Sequence, residues 1–202
     1  FETVNRVAAK LCEEKENLIS FGGIHPDCSD VKRKMREIKS LGLKGIKIHP
    51  AYQKVYMDDI RYLRILEAAA EQELIVLVHA GVDIGLPEPV YAAAERIAAA
   101  IRETAPKKLV LAHLGGWKEW DMVEELLAGG NVYMDTAFLE DYISDAQLVR
   151  IIRKHGAEKI LFGTDCPWSG QKESMERIRG LNLTEQETEM ILGGNAEKLL
   201  EI

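Results

Sequence analysis

Apolar residues recur along the chain in two alternating rhythms. Six short runs, at 18–24, 45–49, 74–79, 109–113, 131–136 and 160–165, are nearly continuous, rich in β-branched residues and bounded by Gly, Pro or polar clusters. Runs of that length and composition read as buried strands. Between them apolar positions fall at three- and four-residue spacing: Val31, Met35 and Ile38; Leu63, Leu66 and Ala70; Val90, Ala94, Ile97 and Ile101. That is the stripe of a helix with one buried side. Strand starts recur about every 28 residues, the length of a βα unit with a right-handed crossover.

The element ends carry their own signals. Ser144 with Gln147, and Thr184 with Glu187, have the spacing of capping boxes; Gly42 and Gly156 suit helix C-termini, and Pro106 closes another helix. Residues 1–16 place Val4, Val7, Ala8 and Leu11 on one side of an amphipathic helix with no strand before it. Nearly continuous apolar strands joined by helices imply a parallel sheet covered on both faces, either doubly wound or closed as a (β/α)8 barrel. Six strands do not close such a barrel, so the chain is expected to enter in mid-pattern, two βα units into it. No linker or low-complexity segment divides residues 1–202, which read as one domain.

Composition narrows the function. Of 202 residues, 26 are Lys or Arg and 33 are Asp or Glu, a net charge of −7, and 47% are apolar. A disordered tail is excluded, and a phosphate-binding surface for nucleic acid or membrane lacks its cationic excess. A small-molecule substrate is the expected partner. No apolar run approaches the roughly 20 residues that span a bilayer. Three widely spaced cysteines, Cys12, Cys28 and Cys166, fit reduced thiols and a cytoplasmic address.

The candidate chemistry lies at the strand ends. His25, His49, His79, His113 and Asp165 each close one of the apolar runs. In parallel α/β folds the groups that bind and react gather outside the carboxyl ends of the strands, so these five are expected to converge. Side chains two apart share a face, which puts Lys47 beside His49. A lone histidine is more often a satisfied core residue, and His155, ending a helix before Gly156, is read that way. Five equivalent positions of His and Asp instead form a donor set for a divalent metal such as zinc.

At these residues the chain resembles the amidohydrolase superfamily, in the branch that contains aminocarboxymuconate-semialdehyde decarboxylase and 2-pyrone-4,6-dicarboxylate lactonase. The matching segments are Gly22-Gly23-Ile24-His25-Pro26, Gly45-Ile46-Lys47-Ile48-His49-Pro50, Val78-His79-Ala80-Gly81, Ala112-His113-Leu114-Gly115-Gly116, Phe162-Gly163-Thr164-Asp165-Cys166-Pro167 and Gly193-Gly194-Asn195-Ala196. The resemblance implies a distorted, N-terminally incomplete TIM (β/α)8 barrel in which strands three to eight are present. The family's first strand carries an HxH pair of metal ligands, and no HxH occurs here; an N-terminal segment of about 50 to 60 residues, two βα units, is expected to be missing.

By the same resemblance His79 is a metal ligand, Asp165 both ligand and proton shuttle, and His113 a residue that binds the metal or orients its water. The expected metal is zinc, with manganese as the alternative. Lys47 is a substrate-binding candidate; a carboxylated lysine bridging two metals, as in other branches, is the alternative. His25, His49 and Trp168 are further substrate-binding candidates, Asp135 a weaker one. Trp117 and Trp120 open a helix and suit either the site or an interface; Cys166 reads as packing, and Asn195 as a backbone-bonding structural residue. The leading functional expectation is a metal-dependent hydrolase of a small amide, lactone or ester. The alternatives are a nonoxidative decarboxylase on the same scaffold, or a noncatalytic metabolite-binding barrel. A TatD-type DNase ranks below these, since its metal-ligand Glu has no counterpart in Gly-Ile-Lys-Ile-His. A homodimer is the expected assembly.

Overall fold

The computed structural model describes residues 1–202. Six parallel strands form one sheet in chain order: β1 Gly22–Gly23, β2 Gly45–Ile48, β3 Ile75–Val78, β4 Leu109–Leu111, β5 Tyr133–Asp135 and β6 Ile160–Leu161. Every neighbouring pair is parallel, with Ile46 opposite Val76, Val78 opposite Leu111 and Met134 opposite Ile160. Strand alternation divides the core. Ile46, Ile48, Val76, Val78, Leu109, Leu111, Met134 and Ile160 face the surrounding helices in the main cluster, whereas Ile75, Val110 and Leu161 face the opposite, inner side with Leu199.

The helices are α1 Glu2–Glu14, α2 Val31–Ser40, α3 Pro50–Gln53, α4 Ile60–Glu71, α5 Ala94–Thr104, α6 Trp120–Leu126, α7 Asp145–His155, α8 Gln171–Gly180, α9 Glu185–Glu189 and, after a π-helical segment at Met190–Gly194, α10 Asn195–Leu200. Their caps follow the sequence closely. Asp30, Asp59 and Ser144 accept amide hydrogens in the first turns of α2, α4 and α7, and Thr184 with Glu187 forms a complete capping box on α9. Each such cap contributes about 1 kcal/mol. Gln147 leaves its half of the expected Ser144 box and donates to Asp121 instead. No helix is long and apolar enough to cross a membrane.

Three expectations are corrected. The run 90–101 becomes helical only from Ala94, because Tyr91 C=O accepts from Met57 N–H and Ala92 C=O from Gly81 N–H, holding that stretch extended. The ladder of β6 stops at Leu161, as Phe162 N–H turns away to Ile191 C=O and Gly163 N–H to the Thr136 hydroxyl. Helix α1 packs through Asn5 and Ala9, leaving Val4 64% and Val7 53% exposed. The cause is Asn5, whose carboxamide donates to Gly23 C=O at 3.0 Å and accepts from Gly23 N–H at 2.8 Å, occupying the outer edge of β1. Beside β6, Asn195 only donates, to Ile160 C=O and Ala157 C=O, each at 2.7 Å.

Candidate metal and substrate site

The carboxyl ends of the central strands deliver the polar side chains. Lys47 lies on β2, and His49 follows it as the N-cap of α3, its Nδ1 accepting from Tyr52 N–H at 3.4 Å. His79 follows β3, its N–H extending the ladder to Ile48 C=O. His113 opens a 3-10 turn after β4 at φ +59. A non-glycine residue there costs on the order of 1–3 kcal/mol unless its surroundings enforce it. Asp135, ending β5, does so: its Oδ1 accepts from His113 N–H at 2.8 Å and Ala137 N–H at 3.0 Å, while Trp120 donates to His113 C=O at 3.1 Å.

The imidazole protons follow from this network. His113 Nδ1 lies 2.9 Å from Ala137 C=O, which can only accept, so that nitrogen carries the hydrogen and Nε2 is bare. His79 Nδ1, 3.1 Å from that bare nitrogen, must then donate, which leaves the lone pair of His79 on Nε2. That atom is buried and has no hydrogen-bond partner. His49 stacks on His79, with ring centroids 4.1 Å apart and planes 11° from parallel. Burial, reinforced by His49, His113 and Lys47, lowers the pKa of His79 to about 2. Burial and then Lys47 lower that of His49 to about 4, against the attraction of Asp83. Both rings are therefore neutral near pH 7.

Asp83 faces this pair. Its Oδ1 accepts from the N–H groups of Gly85 and Leu86, both at 2.9 Å, and its Oδ2 lies 3.5 Å from His49 Nε2 and 3.8 Å from His79 Nε2. The longer separation exceeds hydrogen-bonding range, which is why His79 Nε2 counts as unpartnered despite a carboxylate nearby. One ligand atom from each of His49, His79 and Asp83 falls within 4.8 Å of the others. Two imidazoles and a carboxylate form a donor set for a divalent first-row metal, and the orphaned nitrogen of His79 is a lone pair that such an ion would take up.

Around these groups lies a cavity of about 320 Å³. Lys47, His49, His79, Asp83, His113 and Asp165 line its polar side, and Tyr52, Trp117, Phe138 and Trp168 its aromatic side. A second cavity, of about 360 Å³ against the inner face of the sheet, shares Lys47, His113 and Asp165 and continues along Ile75, Leu77 and Val110. Burial pushes the Lys47 ammonium below its ordinary pKa, while Asp135 and then Asp165 pull it back up. Gly81 sets the wall: at φ +83, a Cβ there would lie 2.2 Å from the Trp117 backbone nitrogen. That contact belongs to two hydrogen bonds, Val82 N–H to Trp117 C=O and Trp117 N–H to Ala80 C=O, which lock the strand ends of His79 and His113 together.

Six of the seven residues singled out in the sequence share this cavity; His25 is not among its lining residues. It is half-exposed beside Phe1, and its Nδ1 accepts from Asp27 N–H at 3.2 Å. Asp165 lies in an exposed turn beyond β6 at φ +54, rather than at a buried strand end. Trp117 lines the cavity, and the buried Trp120 braces His113. The residue that sequence reasoning passed over is Asp83. Its signal was Asp83-Ile84-Gly85, a turn-forming triplet four residues past His79.

Parallel βα units whose strand ends gather imidazoles, carboxylates and a lysine around one cavity define a TIM-barrel-type α/β protein, here with six strands, carrying a metal-compatible site. The family model described as Amidohydrolase matches residues 1–202, and the chain belongs to that family. Solved structures similar to it include 5-carboxyvanillate decarboxylase from Sphingomonas paucimobilis, at 19% identity and a TM-score of 0.77, covering 98% of this chain and 71% of that one. A second is 2,6-dihydroxybenzoate decarboxylase from Rhizobium, at 17% identity and a TM-score of 0.72, with 99% and 76% covered. A third is 5-carboxyvanillate decarboxylase from Novosphingobium aromaticivorans, solved with manganese and 4-hydroxy-3-methoxy-5-nitrobenzoic acid, at 16% identity and a TM-score of 0.77, with 100% and 69% covered. No curated protein sequence matches the chain.

Proposed function

We propose that this chain acts as a divalent-metal-dependent, nonoxidative decarboxylase of a small aromatic carboxylic acid. The observation that carries the reading is Lys47: a cation set at the junction of two cavities, partly desolvated and walled by aromatic rings, is suited to an aryl carboxylate. The similarity in fold to decarboxylases supports the same choice. A divalent metal at His79 Nε2, zinc or manganese, would supply Lewis-acid polarisation of a substrate oxygen.

The chain's own groups do the rest. Lys47 orients the substrate, and the bond between the carboxyl carbon and the ring breaks with its electron pair left on the ring carbon. That carbon takes a proton delivered through Asp165, which reaches solvent and can be recharged from it. His113, its Nδ1 fixed to Ala137 C=O, holds the ring of His79 in one tautomer. Hydrolysis of a small ester, lactone or amide is the second reading, favoured by the family to which the chain belongs, with the same imidazoles facing a developing oxyanion.

Product analysis separates the two. Incubation of the metal-loaded protein with a panel of hydroxylated benzoates is expected to release carbon dioxide, and Lys47→Met to lower kcat/KM at least about tenfold, mainly through KM. Release of an acid with an alcohol or amine from esters, lactones or amides, and no carbon dioxide from any benzoate, would select hydrolysis instead.

A further inference from the structure

Asp165 and Trp168 reach the cavity from a turn that has little to hold it. Residues 165–168 are all exposed, Trp168 by 73% although it lines the cavity. From Thr164 to Gly170 a single hydrogen bond leads to a distant part of the chain: Ser169 Oγ donates to Glu140 Oε2 at 2.7 Å. The other bonds of the stretch are local, Trp168 N–H to Asp165 C=O and Ser174 N–H to Gly170 C=O. Glu140 itself is firmly seated. Its Oε1 accepts from the hydroxyl of Ser174, buried on α8. Arg177, also on α8, donates to Leu139 C=O at 2.9 Å and to Ile143 C=O at 2.6 Å, on either side of it. Burial pushes the pKa of Glu140 up, but the hydroxyls of Ser174 and Ser169, with the charge of Arg177, outweigh it and hold the group below the ordinary carboxylate value. An ionised acceptor makes each of those hydrogen bonds roughly twice as strong as a neutral one, so one bond can fix the turn.

We propose that Glu140 is a positioning residue of the site: its carboxylate latches the turn at 164–170 to the loop after β5, and so sets where Asp165 delivers its proton and where Trp168 meets the cavity. Glu140 is not among the residues lining that cavity, so it acts through Ser169 and not on the substrate. The loop on which it stands also carries Ala137 C=O, which fixes His113, and Phe138, part of the aromatic side. One short stretch thus anchors the imidazole side and the acid side of the cavity together. The proposal rests on the reading of Asp165 as the proton carrier of a decarboxylase, and one arm of its test does not depend on turnover.

Two serine variants make the experiment. Ser169→Ala removes the latch, whereas Ser174→Ala takes a hydroxyl from the same carboxylate on its buried side and leaves the latch in place, which controls for mere support. With metal-loaded protein and a hydroxybenzoate that the parent decarboxylates, Ser169→Ala is expected to lower kcat at least about tenfold with KM within about threefold, since a misplaced proton donor acts on the chemical step. Ser174→Ala is expected to keep kcat within about threefold of the parent. Glu140→Ala should behave as Ser169→Ala does, and Glu140→Gln, whose carbonyl oxygen can still accept from Ser169, should recover part of the loss. The turn itself is followed by fluorescence. Iodide quenches the exposed Trp168 and spares the buried Trp117 and Trp120, so the quenchable part of the anisotropy decay reports the turn. That part is expected to depolarise faster in Ser169→Ala and to stay as in the parent in Ser174→Ala. An unchanged kcat in Ser169→Ala, equal losses in the two serine variants, or an unaltered anisotropy decay in Ser169→Ala would overturn the proposal. If the decay changes as expected while the parent decarboxylates no benzoate, the decarboxylase reading fails and the hold of Glu140 on the turn stands.

Discussion

Single residues here do work that their neighbours make possible. His79 is a ligand candidate because of a proton chain that begins two residues away in space: Ala137 C=O fixes His113, and His113 fixes His79. Gly81 is the glycine pressed most closely against backbone, since its φ of +83 and the 2.2 Å approach to the Trp117 nitrogen exclude any side chain. Gly81→Ala is expected to cost about 2 kcal/mol or more, through backbone strain and the displaced Trp117 turn. Because that turn carries His113 toward the site, chemical denaturation should show the stability loss and zinc titration a weakened site in the same variant. A variant as stable as the parent would mean that the two strand ends are not locked as described.

The elements show how much the sequence discloses. All six strands fall within the apolar runs; β1 and β5 shrink to Gly22–Gly23 and Tyr133–Asp135, whereas β2, β3, β4 and β6 are built mostly of Val, Ile and Leu, because a strand buried on both faces needs apolar side chains in both directions. His49, His79 and His113 at their carboxyl ends were legible for the same reason. Asp83 was not, since its place facing His49 and His79 comes from the turn after β3, and Asp165 read as a strand end because nothing in Phe-Gly-Thr-Asp tells that the ladder stops at Leu161. The packing of α1 also escaped notice, as one hydrogen-bonding Asn5 outweighs the stripe of Val4, Val7 and Leu11. His155 behaves as the sequence suggested, though with partners outside its own helix: Nε2 donates to Val132 C=O at 2.9 Å and Nδ1 accepts from Gly129 N–H at 3.2 Å, tying α7 to the entry of β5. Burial holds its pKa below the ordinary imidazole value. The folded state thus resists protonation that the unfolded chain accepts, so stability is lost as pH falls below about 6.5 toward the lowered value. His155→Gln is expected to be less stable at pH 7.5 and to lose less on going to pH 5.5, measured by urea denaturation at both. An equal loss in both proteins would show that His155 is not the titrating group.

At the scale of the whole fold, residues 1–202 build a six-stranded sheet with β1 and β6 as its outer members. Lys47, His49, His79 and His113 sit on or just after its interior strands, β2 to β4, each of which is paired on both sides, while Asp165 and Trp168 come from the turn beyond β6. At the outer strands Asn5 and Asn195, only 3% and 4% exposed, present carboxamides to the backbone groups of Gly23 and Ile160. Asn5 meets both backbone groups of Gly23 as a neighbouring peptide unit would, whereas Asn195 only donates, to Ile160 C=O and Ala157 C=O. Replacing both by alanine is expected to lower stability by about 2 kcal/mol or more, measured by urea denaturation, because the buried backbone groups they satisfy lose their partners; unchanged stability would show that those groups are met some other way. Asn5 and Asn195 thus act as fitted polar plugs, sparing buried peptide groups at Gly23, Ala157 and Ile160 from lying unanswered among apolar neighbours.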